Sequence, residues 1–313
     1  MNKYKLINTL LVCSVILVAG CTPQTKSVHK DDNVQVNLVE TSAVEFKGPK
    51  LRVGVVNFQN NTPRKVAGIE TSATNILTTM LHETGNFIVV PQQDMESILN
   101  QQKMGASGAI NASTAAEMGK ILGLNAILTG AITSYAELVE GSNTFLSQSK
   151  TQVAKVGVDY RIVDTTTGVL IFASHGNGEF RKESGGLLGF GSKSSYDTSL
   201  KDGALRDALG KAMNKITEQL TGDLWSGRIA QVKGNFIYIN AGQQTGLQIG
   251  DTLVVQELGE EIIDPQTGVS LGRAPGVVRG KLKIASFFGK NGSVASIVSG
   301  ANFRNNDLVK LQK

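Results

Sequence analysis

Leu51-Arg52-Val53-Gly54-Val55-Val56-Asn57-Phe58 is an apolar, β-prone run closed by the turn chemistry of Asn60-Asn61-Thr62-Pro63, and it reads as a buried strand. Beyond the turn the period changes. Ile69, Ala73, Ile76, Leu77, Met80 and Leu81 recur at helical spacing, and Gly85 suits the left-handed residue that closes a helix. Phe87-Ile88-Val89-Val90 is a second short strand. Gln92 to Lys103 carries Met95, Ile98 and Leu99 on one face, and Ser113 to Leu122 is a further helix closed by Gly123. A strand, a helix, a strand and two more helices in that order imply a sheet with helices on it.

Three longer strands follow, over Asn125–Leu138, Gln152–Val163 and Val169–Phe180, with Asp164-Thr165-Thr166-Thr167-Gly168 as the tight turn joining the last two. Ser199 opens a long amphipathic helix whose stripe runs through Leu200, Leu205, Leu209, Met213, Ile216, Leu220 and Leu224. After Trp225 the helical period disappears. Phe236–Ile239, Thr252–Val255, Val277–Ile284 and Val294–Val298 are short strands separated by glycine turns. The expected fold is therefore α/β (α+β): a mixed β-sheet flanked by helices with two β-hairpin insertions, residues 135–160 and 174–199, followed by a small all-β barrel domain. The expected division is a signal peptide over 1–20, a polar tether over 21–49, the α/β domain over 50–225 and the barrel over 226–313.

Lys3 and Lys5 precede an apolar run that ends in Leu17-Val18-Ala19-Gly20-Cys21. A basic start, a short apolar core and small residues before a cut are what a secretory signal needs, and the core is short for a membrane span. Leu17 to Cys21 resembles the bacterial lipobox at every position, which implies that Cys21 is acylated and becomes the mature N-terminus. A covalent lipid on Cys21 is the only non-protein group expected, with no other cofactor. Each buried methylene contributes about 0.8 kcal/mol, so several acyl chains hold such a protein at a membrane. By resemblance to the sorting rule of enteric lipoproteins, Thr22 in place of aspartate implies the outer membrane, periplasmic face.

Composition narrows the function classes. The chain has two cysteines, Cys13 and Cys21; loss of the signal leaves only the lipidated one, so a disulfide scaffold or thiolate metal cluster is not expected. Of the net charge of +5, Lys3 and Lys5 supply two. No dense basic cluster is interleaved with aromatics, so no nucleic-acid partner is expected. His29, His82 and His175 show no metal-ligand spacing. Gly185–Gly191 lacks a phosphate-loop lysine, no Gly-x-Ser-x-Gly elbow is present, and Asp264-Pro265-Gln266-Thr267-Gly268 is turn chemistry. An enzyme is not expected.

Val53–Phe58, Leu122–Gly130, Val158–Asp164 with Thr167-Gly168, and Gly185–Gly191 resemble the CsgG-type outer-membrane lipoproteins, whose best-known members form the ring-shaped secretion channel for curli. The resemblance covers about Cys21 to Trp225. It implies a homo-oligomeric ring, a membrane reached through the lipid anchor, and periplasmic protein partners or a secreted protein cargo. Gly227–Val232, Ile239–Gly242 and Gly246–Asp251 are similar to the C-terminal domain of the flagellar assembly protein T family, which implies membership of a periplasmic assembly. In CsgG-type channels two hairpins per subunit build a shared barrel, and residues 135–160 and 174–199 correspond to them. One arm alternates clearly, with Ala154, Val156, Val158, Tyr160 and Ile162 opposite Lys155, Asp159 and Arg161, as a barrel strand or an ordinary half-buried strand does; neither face of its partner arm suits lipid, and the second insertion is apolar only at its tip, where Leu187, Leu188 and Phe190 are candidates for membrane or subunit contact. The first expectation is a ring that forms or caps a passage in the outer membrane, as a secretion or transport channel of the CsgG type. The family's constriction loop corresponds to Gln59–Lys65, with Asn60, Asn61, Thr62 and Pro63 at its centre and no aromatic counterpart. The alternative expectation is a non-pore scaffold of an envelope machine or a regulator of wall synthesis.

Overall fold

The computed structural model describes residues 48–101, 112–144, 147–186, 198–220, 224–268 and 270–312. The lipobox with Cys21, the tether as far as Lys47, and the tip with Leu187, Leu188 and Phe190 lie outside the described residues. Those that are described belong to one compact unit, Val36–Lys313.

The chain runs β1 (Leu51–Val55), β2 (Gln59–Asn60), α1 (Ile69–Glu83), β3 (Phe87–Val90), α2 (Gln92–Gln101), α3 (Ala112–Leu122), β4 (Ala126–Thr144), β5 (Ser147–Asp164), β6 (Leu170–Gly186) and α4 (Thr198–Leu220). The strands lie in the order β3-β1-β4-β5-β6, with β2 also paired to β4. β1 is parallel to β3 and β4, while β5 is antiparallel to β4 and β6. The sheet is mixed because helices return the chain between its first strands, whereas β5 runs back along β4 and a tight turn joins it to β6.

Alternation along β5 divides the two faces. Ala154, Val156, Val158, Tyr160 and Ile162 are buried in the same core as α1 and α4. Val163 and Ile127 join Met95, Ile98 and Met118 of α2 and α3 on the other face. Each fully buried aliphatic side chain contributes about 1.5–3 kcal/mol, so Leu205, Leu209 and Ile216, all at 0% exposure, hold α4 firmly. Helix and strand approach closely here. An added Cβ on Gly178 would lie 2.0 Å from the Ala204 carbonyl oxygen, and one on Gly203 would lie 2.4 Å from the Phe180 ring.

The turn expected between β5 and β6 is present. Asp164 Oδ1 accepts from the Thr166 amide at 2.7 Å, Oδ2 accepts from Thr167 Oγ1 at 2.9 Å, and Gly168 at φ 73° donates to the Asp164 carbonyl at 2.8 Å. Asp264-Pro265-Gln266-Thr267-Gly268 repeats the device. The amides of Gln266 and Thr267 both donate to Asp264 Oδ1, at 2.8 and 2.9 Å. Those donors, Thr267 first, hold the Asp264 carboxyl below its ordinary range.

The remaining chain forms β7 (Gly227–Lys233), β8 (Phe236–Ile239), a 3-10 turn at Gln243–Thr245, β9 (Thr252–Gln256), β10 (Glu261–Ile263), β11 (Ser270–Arg273), β12 (Val278–Phe288), β13 (Gly292–Gly300) and β14 (Leu308–Leu311). Six of these strands close into a barrel in the order β12-β13-β8-β7-β14-β9, and β10-β11 is a separate hairpin. Ile229, Ile237, Ile239, Leu253, Val255, Leu282 and Ile284 are buried in the same continuous core cluster as the sheet residues Leu51 and Val53. The barrel is docked on the sheet by polar links as well, including the Lys50 amide, which donates to the Thr245 carbonyl at 2.7 Å.

Candidate functional site

β4 and β5 remain paired as far as Thr144 and Ser147, and β6 pairs with β5 out to Gly186. The described strands of the insertions are therefore direct extensions of the sheet. The described part of the second is a single strand, and α4 begins at Thr198. On one face Ala154, Val156 and Phe180 lie against α4. The opposite face is charged and exposed. Lys155 Nζ reaches Glu179 Oε2 at 3.4 Å, Arg181 Nε reaches Glu179 Oε1 at 2.6 Å, and Arg181 Nη1 reaches Glu140 Oε2 at 3.1 Å. The Arg181 hydrogen bond, with help from Lys155, holds the Glu179 carboxyl below its usual range.

β6 is an edge strand of this sheet, and α4 covers part of that edge. The Glu179 amide donates to Asp207 Oδ2 at 2.9 Å, while Lys211 Nζ donates to the Asn177 carbonyl at 3.4 Å and to Asp207 Oδ2 at 2.6 Å. Unpaired edge groups are templates for strand addition, so the Asp207–Lys211 pair blunts the edge at those two residues.

Deeper along the same face His175 Nδ1 lies 2.6 Å from Asp159 Oδ1, and Nε2 lies 2.9 Å from Asn177 Oδ1. Oxygens facing both ring nitrogens favour the doubly protonated imidazolium. The His175 pKa is raised above its ordinary 6.5, first by the Asp159 hydrogen bond and then by Asn177. Nothing in the sequence joins Asp159 to His175, which belong to different strands and meet only through the β5–β6 register. The sign of its pH dependence is fixed: its stabilisation is complete below the unfolded-state pKa and is lost as pH rises through the folded value. Both partners are about half exposed, so the stability change is small. NMR titration of the imidazole should give a midpoint above 6.5, and Asp159→Asn should lower it; an unchanged midpoint in that variant would contradict the assignment.

The loop expected at a constriction is tied to the sheet. The Asn61 amide donates to the Ile132 carbonyl at 2.9 Å, extending the β2–β4 pairing. Asn60 Nδ2 donates to the Val66 carbonyl at 2.8 Å, and the Thr62 hydroxyl lies 2.6 Å from Asn60 Oδ1 and 2.7 Å from the Arg64 carbonyl. Thr62 is buried, while Asn61 and Pro63 are exposed. Among the described residues no cluster of His, Cys, Asp and Glu could hold a metal ion. No helix among them is long and apolar enough to cross a membrane.

Residues 35–248 match the model of the curli production assembly/transport component CsgG. The chain belongs to the CsgG family. The matched region runs past Trp225 and through β7 and β8, so family likeness includes the first part of the barrel that shares a core with the sheet. A candidate lipoprotein of Neisseria meningitidis serogroup B (strain ATCC BAA-335 / MC58), NMB1126/NMB1164, is 22% identical over 226 residues, which are 69% of this chain and 95% of the relative. Family and relative together associate this CsgG-family chain with lipoproteins of the bacterial envelope.

Solved structures are more distant. Lipoprotein GNA1162 from Neisseria meningitidis is 17% identical, with 54% of this chain and 97% of that one covered, at a TM-score of 0.31. The LpoB C-terminal domain from Salmonella enterica is 15% identical over 45% of this chain and 90% of that one, at 0.32. A PelC dodecamer from Paraburkholderia phytofirmans is 15% identical over 53% and 92%, at 0.28. Scores this low do not establish a shared fold.

Proposed function

We propose that this CsgG-family protein is a non-enzymatic lipoprotein, anchored through Cys21 to the periplasmic face of the outer membrane, whose identical bodies assemble into a ring that engages a periplasmic protein partner or a secreted protein cargo. The observation carrying this reading is the family match over 35–248. Lipid anchors would collect the bodies on one plane, where ring closure needs little further orientation.

Between a ring that spans the membrane and one that only caps it, the geometry favours the second. α4 covers one face of the β5 and β6 arms at Ala154, Val156 and Phe180, a face that a membrane barrel would have to turn to lipid or lumen. The ion-paired face from Lys155 to Glu140 also suits water rather than acyl chains, where a charged side chain costs about 2–4 kcal/mol at the midplane. Negative-stain images of the detergent-extracted protein should show closed rings of many subunits, and planar bilayers containing it should show no steady conductance. Monomers in the images would overturn the ring, whereas rings that conduct would replace the cap with a CsgG-type channel.

A further inference from the structure

On the sheet face opposite α1 and α4, beyond the end covered by α2 and α3, lies an open cleft of about 390 Å³ between β2, β4, β5 and the start of β6. This volume falls within the ~300–1,000 Å³ of sites for small ligands. Gln59 and Asn61 form one side, Thr129 and Thr133 line the floor, and Arg161 stands on the other side near Leu170. None of these polar side chains is engaged by another described residue. Arg161 is exposed and its guanidinium has no acidic partner among the described residues. The carboxylate nearest along the strand, Asp159, is held by His175 at 2.6 Å.

The chemistry of this lining is selective. Amides and hydroxyls both donate and accept, so they match the alternating N–H and C=O groups of a peptide better than the acceptor-only surface of a phosphate. One guanidinium with its planar fork suits a carboxylate. Asp159 at the same cleft opposes a multiply charged anion. Leu170 is 51% exposed and Val163 is buried at the cleft's inner end, giving small apolar side chains a surface to lie on. We propose that the cleft binds the free C-terminal end of a short peptide of small residues, with Arg161 receiving the terminal carboxylate and Gln59, Asn61, Thr129 and Thr133 meeting the peptide groups.

Trialanine with a free carboxylate and trialanine amide, titrated calorimetrically into the full-length detergent-solubilised protein, test this. The free acid should bind saturably, and the amide should bind about tenfold or more weakly, the scale of one charge-assisted contact. Arg161→Gln should bring the acid down to the level of the amide, and Arg161→Lys should keep part of the difference. Ala131→Leu, which fills the cleft floor, should remove both. Because Arg161 is exposed, an unchanged melting temperature should accompany the first two variants. The proposal is overturned by no saturation up to ~10 mM peptide, by equal affinities for acid and amide, or by a preference that survives Arg161→Gln.

Discussion

Gly178→Ala should destabilise the protein by about 3 kcal/mol, the upper part of the range for forcing atoms into a packed core. In an ordinary strand the same change is favourable by roughly 0.5–1 kcal/mol, because alanine loses less backbone entropy on folding. Packing reverses the sign here. The new Cβ would stand 2.0 Å from the Ala204 carbonyl oxygen, 2.6 Å from the Ala208 nitrogen and 2.9 Å from the Ala208 Cβ. The first two are backbone atoms of α4, which no side-chain rotation can move. Relief requires α4 to lift off β6, and lifting it disturbs Leu205 and Leu209 in the core. It also stretches the contacts of Asp207 with the Glu179 amide and of Lys211 with the Asn177 carbonyl. Urea unfolding should show a lower midpoint with an unchanged slope. Gly176→Ala supplies an internal control, because its Cβ would meet the Ala208 oxygen at 3.2 Å; its cost should be well under that of Gly178→Ala, and equal costs would refute the steric account.

The same strand shows what a sequence discloses and what it does not. Burial of Ala154, Val156, Val158, Tyr160 and Ile162 on one face of β5, with Lys155, Asp159 and Arg161 on the other, follows from simple alternation. The Asp164–Gly168 turn was equally legible, since Asp-x-x-Thr-Gly supplies both the acceptor and the left-handed residue. Neither reveals that Asp159 meets His175. Counting outward from the Val163–Leu170 pair would set Val158 opposite His175. A register shift between Ile162 and Val163 moves the partner to Asp159, and one residue of slip exchanges the faces of a strand. Bulges of this kind depend on local twist and leave no residue signature in the chain.

β4 runs past the expected end at Leu138 for a related reason. Leu138 and Val139 point to opposite faces of β4 and both are exposed, at 47% and 67%, so no alternation marks the strand's continuation to Thr144. Its backbone continues because β5 supplies hydrogen-bond partners, a tertiary cause invisible in a local window. Alternation alone places Arg161 on the polar face. The cleft around it requires β2 to continue beside β4 beyond β1, and only the structure places Gln59 and Asn61 there. In the barrel, glycine-separated strands were evident, but β14 closes it through pairs with β7 and β9 that are distant in the chain.

Asn125→Ala should cost about 3 kcal/mol and act on the attachment of the barrel as well as on the sheet. Asn125 is 1% exposed and uses every polar atom. Its amide donates to the Arg52 carbonyl at 2.7 Å, and its carbonyl accepts from the Thr165 amide at 3.1 Å. Its side-chain Oδ1 accepts from the Arg52 amide at 2.9 Å, while Nδ2 donates to the Ser226 carbonyl at 2.8 Å, immediately before β7. Alanine keeps the two backbone bonds and abandons both of these side-chain bonds, together with the longer one from Nδ2 to Ser226 Oγ at 3.5 Å. The Arg52 amide and the Ser226 carbonyl would then be left without partners at the junction of sheet and barrel, at about 1–3 kcal/mol for each group that stays dry. Leucine would fill the space but could not supply a donor and an acceptor, so Asn125→Leu should be no better. The barrel end of the junction offers a comparison. Asn240 Oδ1 accepts from the Arg228 amide at 2.7 Å, and Asn240→Ala, which abandons one such bond, should cost about half as much. Since Asn125 joins β1 to the segment entering the barrel, its loss should also raise hydrogen exchange at both Arg52 and the start of β7, whereas Gly178→Ala should leave those amides protected until global unfolding. Exchange confined to β1 would mean that Asn125 supports the sheet alone and that the shared hydrophobic core holds the barrel in place.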